Sequence, residues 1–304
     1  MQSDAEARPE VPRDFDEDVR LMGAVPGVDV FIGGHAHRGI EVPYVHPKTG
    51  TIIVQTYGYG TRLGYLRLRL RAGKVAAHSG ELMKVWTDSI APDSAVLAVV
   101  DRYKRETASR SGEPVLTLSR RLYRKYNEES PLGNAIADAM RFVTGAEIAF
   151  QNAGGIRADL PEGLITTGHI LDVLPFVNTT DTYRLTGAQV KEVLEQSLTL
   201  ERGMMQVAGL RVEYDLSKPA GSRVVRAWVG RKPLVPTRSY LVATSSFIGQ
   251  GGDLYSTFNH ATRITEGPTN SDVLTSYLRR VGEKAVIPRE PWVATRLISV
   301  GGRR

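Results

Sequence analysis

Gln151-Asn152-Ala153-Gly154-Gly155-Ile156-Arg157 follows Glu147-Ile148-Ala149-Phe150, an apolar run that reads as a buried strand. Two glycines at the end of a strand let the backbone turn tightly or come close to a ligand. Asn152 and Arg157 flank that turn. A guanidinium placed there can pair two oxygens of an anion or carboxylate at once, because its donors lie in one plane. The plainer alternative is a loop whose Arg157 lies on the surface or pairs with Asp159.

The surrounding sequence mixes strands and helices. Pro131 opens a helix carrying Leu132, Ile136, Ala139, Met140 and Val143 on one face, and Gly145 stops it. Residues 167–174 form a short helix broken by Pro175, which leaves Phe176 on the loop beyond. Thr186-Gly187-Ala188-Gln189 is a capping box whose helix turns Val190, Val193, Leu194 and Leu198 inward. Strands are expected at 205–214, 223–229 and 239–245, and a last helix over 271–281.

Upstream, Pro92 suits the first turn of a helix with Val96, Val99, Val100 and Tyr103 at helical spacing; Ser111-Gly112-Glu113-Pro114 ends it. This helix is expected to link two domains. Before it come a loose tail, a short helix over 14–24 capped by Asp14, and then strands at 28–32, 51–56, 65–70 and 75–85, the last two joined by a turn at Gly73-Lys74. His46 and His78 read as surface residues. Gly33-Gly34-His35-Ala36-His37 follows the first strand at its carboxyl end, where α/β sheets place their ligands. Two imidazoles on a turn can aim at one point, as a metal site requires, but a metal needs more ligands than two.

Composition narrows the classes. With 41% hydrophobic and 24% charged residues over 304 positions, the chain is a folded protein long enough for two domains. Its 39 basic and 33 acidic residues give a net charge of +6, scattered rather than run together. That suits anionic ligands and does not point to nucleic acid, which calls for a basic stripe interleaved with aromatics. There is no cysteine, so disulfides, thiolate nucleophiles and thiolate metal sites are excluded. No apolar run approaches the roughly 18 residues of a membrane helix. Residues 1–6 have neither the basic nor the apolar region of a signal peptide, so localisation is left open.

Gly33-Gly34-His35-Ala36-His37 resembles the closing metal-ligand motif of calcineurin-like metallophosphoesterases. Asn152 to Arg157, Leu171-Asp172-Val173-Leu174-Pro175-Phe176, Leu185-Thr186-Gly187-Ala188-Gln189 and residues 247–253 resemble, in that order, the C-terminal domain of the bacterial 5'-nucleotidase/UDP-sugar hydrolase (2',3'-cyclic phosphodiesterase) family. The resemblance runs over nearly the whole chain from about residue 15. It implies a mixed α/β (α+β) fold: the end of a metallophosphoesterase β-sandwich over 1–86, a linker helix over 87–110, and an intact C-terminal substrate-binding domain over 111–304.

The resemblance further implies metal-dependent hydrolysis of nucleoside 5'-phosphates or related esters. Phe176 and Phe247 would sandwich the base, where core packing is the alternative for each. Asp253 would accept from the ribose hydroxyls, and Asn152 and Arg157 would reach the base edge and the anionic part of the substrate. His35 and His37 would be two ligands of a divalent pair such as manganese or zinc. Relatives of this kind are usually exported.

The pattern also departs from the family. Tyr126 stands where a second substrate-binding Arg is usual, with Arg124 and Lys125 only nearby. The family's other metal motifs, an Asp-x-His, a later Asp, an Asn-His pair and a further His, are not among the 34 residues before His35. A truncated chain is therefore expected, one that hydrolyses nucleotides only when a complementary N-terminal fragment supplies the rest, or that acts as a non-catalytic nucleotide-binding module. Strands in 28–85 would then carry unpaired edges and bare apolar faces, favouring a partner fragment or a second copy, and residues 1–85 would be less stable than 111–304. A sulfur-oxidising hydrolase of the same superfamily is disfavoured by the two clamp aromatics, because its substrate has no base to stack.

Overall fold

The computed structural model describes residues 16–282 and 295–301. Asp14, expected to cap the first helix, lies outside them. The chain separates into two units, Met1–Asp101 and Arg102–Arg304.

In the first unit, α1 (Asp16–Ala24) precedes a three-stranded sheet of order β1-β3-β2, made of β1 (Val30–Ile32), β2 (Tyr44–Val45) and β3 (Ile52–Val54). Its small core joins Met22 of α1 to Ile40 and Ile53, with Val19, Val28, Phe31 and Tyr44 packed on it. Ile32, which ends β1, is 78% exposed. His46, read as a surface residue, is a correction. It is buried: Gly23 of α1 lies against its ring, where a Cβ would be 2.9 Å from Nε2, and its Nδ1 accepts from the backbone N–H groups of Lys48 and Thr49, tying the turn together. β4 (Arg62–Arg71) and β5 (Lys74–Lys84) form an antiparallel hairpin whose strands contain no buried residue. A two-stranded hairpin has too little apolar face to be stable alone.

α2 (Ser94–Ser111) follows. Asp93 caps it through Oδ1, which accepts from the N–H groups of Ala95 and Val96, so the helix starts after Pro92 rather than on it.

The second unit is built on a five-stranded sheet of order β10-β7-β14-β9-β15, from β7 (Ile148–Gln151), β9 (Thr180–Thr186), β10 (Gln206–Ala208), β14 (Ser239–Ser245) and β15 (Thr262–Thr265). β7 is buried at every position, apolar over 148–150 and ending on Gln151, because both of its faces are covered. Ala149 faces a core with α3 (Pro131–Thr144), α4 (Thr167–Val173) and α7 (Asn270–Gly282); Ile148 and Phe150 face one with α5 (Gly187–Ser197). That second core also takes Val212 of β11 (Leu210–Tyr214) and Val224 of β12 (Val224–Val229), which pair with β13 (Lys232–Pro233) and β16 (Leu297–Ser299) in a four-stranded sheet. β6 (Pro114–Leu118) and β8 (Gly163–Thr166) pair beside the first core.

Local signals act as expected. Ser130 caps α3 by accepting from Gly133 N, and Gly145 ends it with φ 68°. Thr186 and Gln189 close the capping box of α5. The strand expected over 205–214 is broken at Gly209, whose φ is 74° and where a Cβ would lie 2.0 Å from the Glu147 carbonyl oxygen. The mixed α/β fold is the one the sequence leads to.

Candidate functional site

β14 runs parallel to β7, with Thr244 beside Phe150 and Ala243 beside Ala149. Both strands therefore leave the sheet in the same direction. One continues into the 152–157 turn, the other into α6 (Ser246–Gly249) and the loop through Asp253. The carboxyl ends of neighbouring parallel strands are where open α/β sheets bind ligands.

Two sets of contacts, linked through the backbone of the 152–157 turn, involve the five residues singled out in this unit. The Phe247 ring covers Gly252, where a Cβ would sit 2.7 Å from Cε1 and Cε2. The next residue, Asp253, accepts from Asn152 Nδ2 at 2.6 Å. Arg157 Nη1 donates to the Gly154 carbonyl at 3.1 Å, and its guanidinium carbon lies 5.9 Å from the centre of the Phe176 ring. Asp159, the alternative partner for Arg157, is held instead by Arg121 and by the backbone N–H of Arg124. Arg157 N donates to the Val173 carbonyl, fastening the turn to the end of α4 just ahead of Phe176. Phe176 is 49% and Phe247 43% exposed, so neither is a core residue.

The loop that presents Asp253 is strained. Gly251, Asp253 and Leu254 have φ of 82°, 52° and 68°. Side chains in the left-handed region cost of order 1–3 kcal/mol each and gather at ligand clamps. Tyr255 anchors the loop from below. It is buried, and burial, with the nearby charge of Asp253, pushes its phenol well above the ordinary range.

Gly154 and Gly155 do make a tight turn, without a left-handed residue. Neither has a positive φ; they lie in a short 3-10 turn. A Cβ on Gly155 would fall 2.7 Å from both Asn152 Oδ1 and Gln151 Nε2, so side-chain crowding, not backbone freedom, requires glycine there. A Cβ on Gly154 would touch Asp253 Oδ2, Asn152 Nδ2 and Tyr126 Cε2 at 3.7–3.9 Å. Tyr126, at the position of the expected Arg, thus borders the same spot. Sequence reasoning left Gln151 without a role, although a polar residue ending a fully buried strand is a visible signal.

His35 and His37 belong to the other unit. Both are exposed and adopt left-handed φ, 67° and 58°. The His37 ring meets Tyr59 edge-on at 4.9 Å, and a Cβ at Gly58 would lie 2.6 Å from it. Among the described residues no group of three His, Cys, Asp or Glu is arranged to hold a metal ion. Two imidazoles alone do not fit a divalent pair.

Residues 107–260 match the family described as 5'-nucleotidase, C-terminal domain. The trifunctional nucleotide phosphoesterase protein YfkN of Bacillus subtilis is 34% identical over 288 residues, covering 88% of this chain and 20% of that protein. The 5'-nucleotidase of Diplobatis ommata is 30% identical over 321 residues, covering 90% of this chain and 55% of its own. Among solved structures, a 5'-nucleotidase precursor from Thermus thermophilus superposes with TM-score 0.76 at 28% identity, over 95% of this chain and 62% of that one. The chain belongs to the 5'-nucleotidase family. It spans a fifth of the first relative named and about half of the second. Among the described residues no helix is long and apolar enough to cross a membrane.

Proposed function

We propose that this chain recognises nucleoside 5'-phosphates, or related nucleotide esters, for metal-dependent hydrolysis, and that it contributes the nucleoside-binding surface. What supports this reading is the Asn152–Asp253 hydrogen bond between the loops that follow β7 and β14, with Phe247 against Gly252 on one loop and Arg157 beside Phe176 at the end of the other turn. Phe176 and Phe247 stack on the base, an interaction that tolerates any base. Asp253 accepts from the ribose hydroxyls, Asn152 meets the base edge, and Arg157 pairs the anionic part of the substrate. We divide the chain by role into a metallophosphoesterase portion over 1–86, a linker helix over 87–110 and the substrate-binding domain over 111–304.

A divalent pair, when bound, activates water and neutralises phosphate. His35 and His37 are the ligands this chain offers to it, and since two do not complete the site, phosphate release is not assigned to residues described here. A nucleotide-binding module without catalysis is the second proposal, favoured by the contrast between five candidate binding residues and two metal ligands.

Titration calorimetry with adenosine and 5'-AMP, without and with manganese, while released phosphate is assayed in the same samples, separates them. Binding accompanied by release that His35→Ala abolishes supports hydrolysis by this chain. Binding without release supports the module. Absence of binding by either compound rejects both.

A further inference from the structure

We infer that Gln151 is a positioning residue: its side-chain amide fixes which way round Asn152 lies, and through Asn152 it fixes the orientation of the Asp253 carboxylate. The inference rests on the nucleoside-binding proposal above. An ionised carboxylate can only accept hydrogen bonds. The atom of Asn152 facing Asp253 Oδ2 at 2.6 Å is therefore Nδ2, which turns Asn152 Oδ1 the other way, where it needs a donor. Gln151 Nε2 is that donor at 3.0 Å, and it also donates to the Asn152 carbonyl at 2.9 Å.

This arrangement has a cost that shows what it is for. Gln151 Oε1 is buried and has no hydrogen-bond partner among the described residues. An unpaired buried acceptor is destabilising. Turning the Gln151 amide over would not help, since Oε1 would then face two oxygens of Asn152. The hydrogen bonds thus run one way, from Gln151 to Asn152 to Asp253, and Asp253 Oδ1 remains an acceptor for a ligand group that donates. Gln151 is only 1% exposed, so it acts through Asn152 and not on the ligand itself. Gly155 is part of the same device, because any side chain there would occupy the space between the two amides.

Three variants test this. Gln151→Met keeps shape and burial but removes the donor. Adenosine affinity should fall about tenfold with little change in melting temperature, because the unpaired Gln151 acceptor leaves with the amide while the two Asn152 oxygens lose their donor. Gln151→Glu sets an acceptor against Asn152 Oδ1. Its affinity should be lower still at neutral pH and recover as the pH is lowered and the new carboxyl becomes a donor, a recovery the unmodified protein should not show. Without ligand, Gln151→Met and Asp253→Ala should couple in a double-mutant cycle on melting temperature, by about 2–4 °C. Additive effects in that cycle overturn the relay whether or not adenosine binds. Coupling in a protein that binds no adenosine upholds the relay and rejects the nucleoside-binding proposal. Wild-type affinity in Gln151→Met overturns the positioning role.

Discussion

Asn152 Nδ2 donates to Asp253 Oδ2 at 2.6 Å across 101 positions of sequence. The contact exists because β7 and β14 are parallel neighbours and release their loops side by side. A hydrogen bond to a charged group is worth roughly 1.5–3 kcal/mol. Asn152→Ala should therefore weaken adenosine binding at least about tenfold. Asn152→Asp should weaken it more, since two carboxylates would then face each other, and calorimetry at falling pH should show part of that loss relieved as one protonates.

The two exposed phenylalanines give a test in which binding and stability move apart. Phe176→Ala or Phe247→Ala should each cost about 1–3 kcal/mol of nucleoside affinity, to a similar degree for purine and pyrimidine nucleosides. Neither should lower the melting temperature much, because each ring is about half exposed. A core aromatic truncated in the same way costs about 3–5 kcal/mol of stability. A large fall in melting temperature with unchanged affinity would assign the rings to packing.

Adjacent glycines should respond differently to alanine. At Gly155 the new methyl would meet two polar atoms at 2.7 Å, so Gly155→Ala should lower both stability and binding. At Gly154 the methyl would make ordinary contact with Asp253, Asn152 and Tyr126, so Gly154→Ala should fold normally and lose affinity alone. Thermal melts and adenosine titrations on the pair distinguish these outcomes.

Alkaline pH should unfold the protein through its buried tyrosines. Burial pushes Tyr277 from 10.0 to about 12, with the charge of Asp138 adding and Arg296 opposing; Tyr183 and Tyr214 are raised mainly by burial as well. The unfolded chain gives up the Tyr277 proton near pH 10 and the folded chain near pH 12, so this contribution is complete below pH 10 and is lost as the pH rises between the two. Melting temperature should fall over that interval. In Tyr277→Phe, referenced to its own neutral-pH value, it should fall less.

Hydrogen exchange should divide the chain. The β4–β5 hairpin has no buried residue in either strand, whereas β7 is buried at every position. Amides in 62–84 should exchange near the rate of local opening, and those of β7 and β14 only with global unfolding of their unit. Equal protection in both regions would contradict this.

Much of the second unit was legible because its signals are local. Proline and glycine bracket α3, a capping box opens α5, and the apolar run 148–150 announces a strand covered on both faces. Misreading fell where a distant residue decides. His46 bonds to its own turn, but the surface that covers its ring is Gly23 of α1, where a Cβ would lie 2.9 Å from His46 Nε2, and no spacing near His46 shows that. At the 151–157 turn the sequence shows a tight glycine turn, but not why position 155 in particular is glycine. The cause, the crowding of two amides, is a matter of side-chain placement that no spacing rule contains.

The sequence by itself determined the elements, their order and the chemical types available for a site: one guanidinium beside a glycine turn, two loop phenylalanines, a carboxylate after Gly251-Gly252 and two histidines on a second turn. Periodicity, caps and breakers depend on neighbours a few positions apart, so they can be read directly. Only the tertiary structure decided that β14 would lie parallel to β7, and with that which atom of Asn152 meets Asp253, that Arg157 would rest on Phe176 rather than Asp159, and that Gln151 would stand behind them. Hydrogen-bond direction between buried side chains follows from which acceptors come within about 3 Å of which donors, and packing alone sets that.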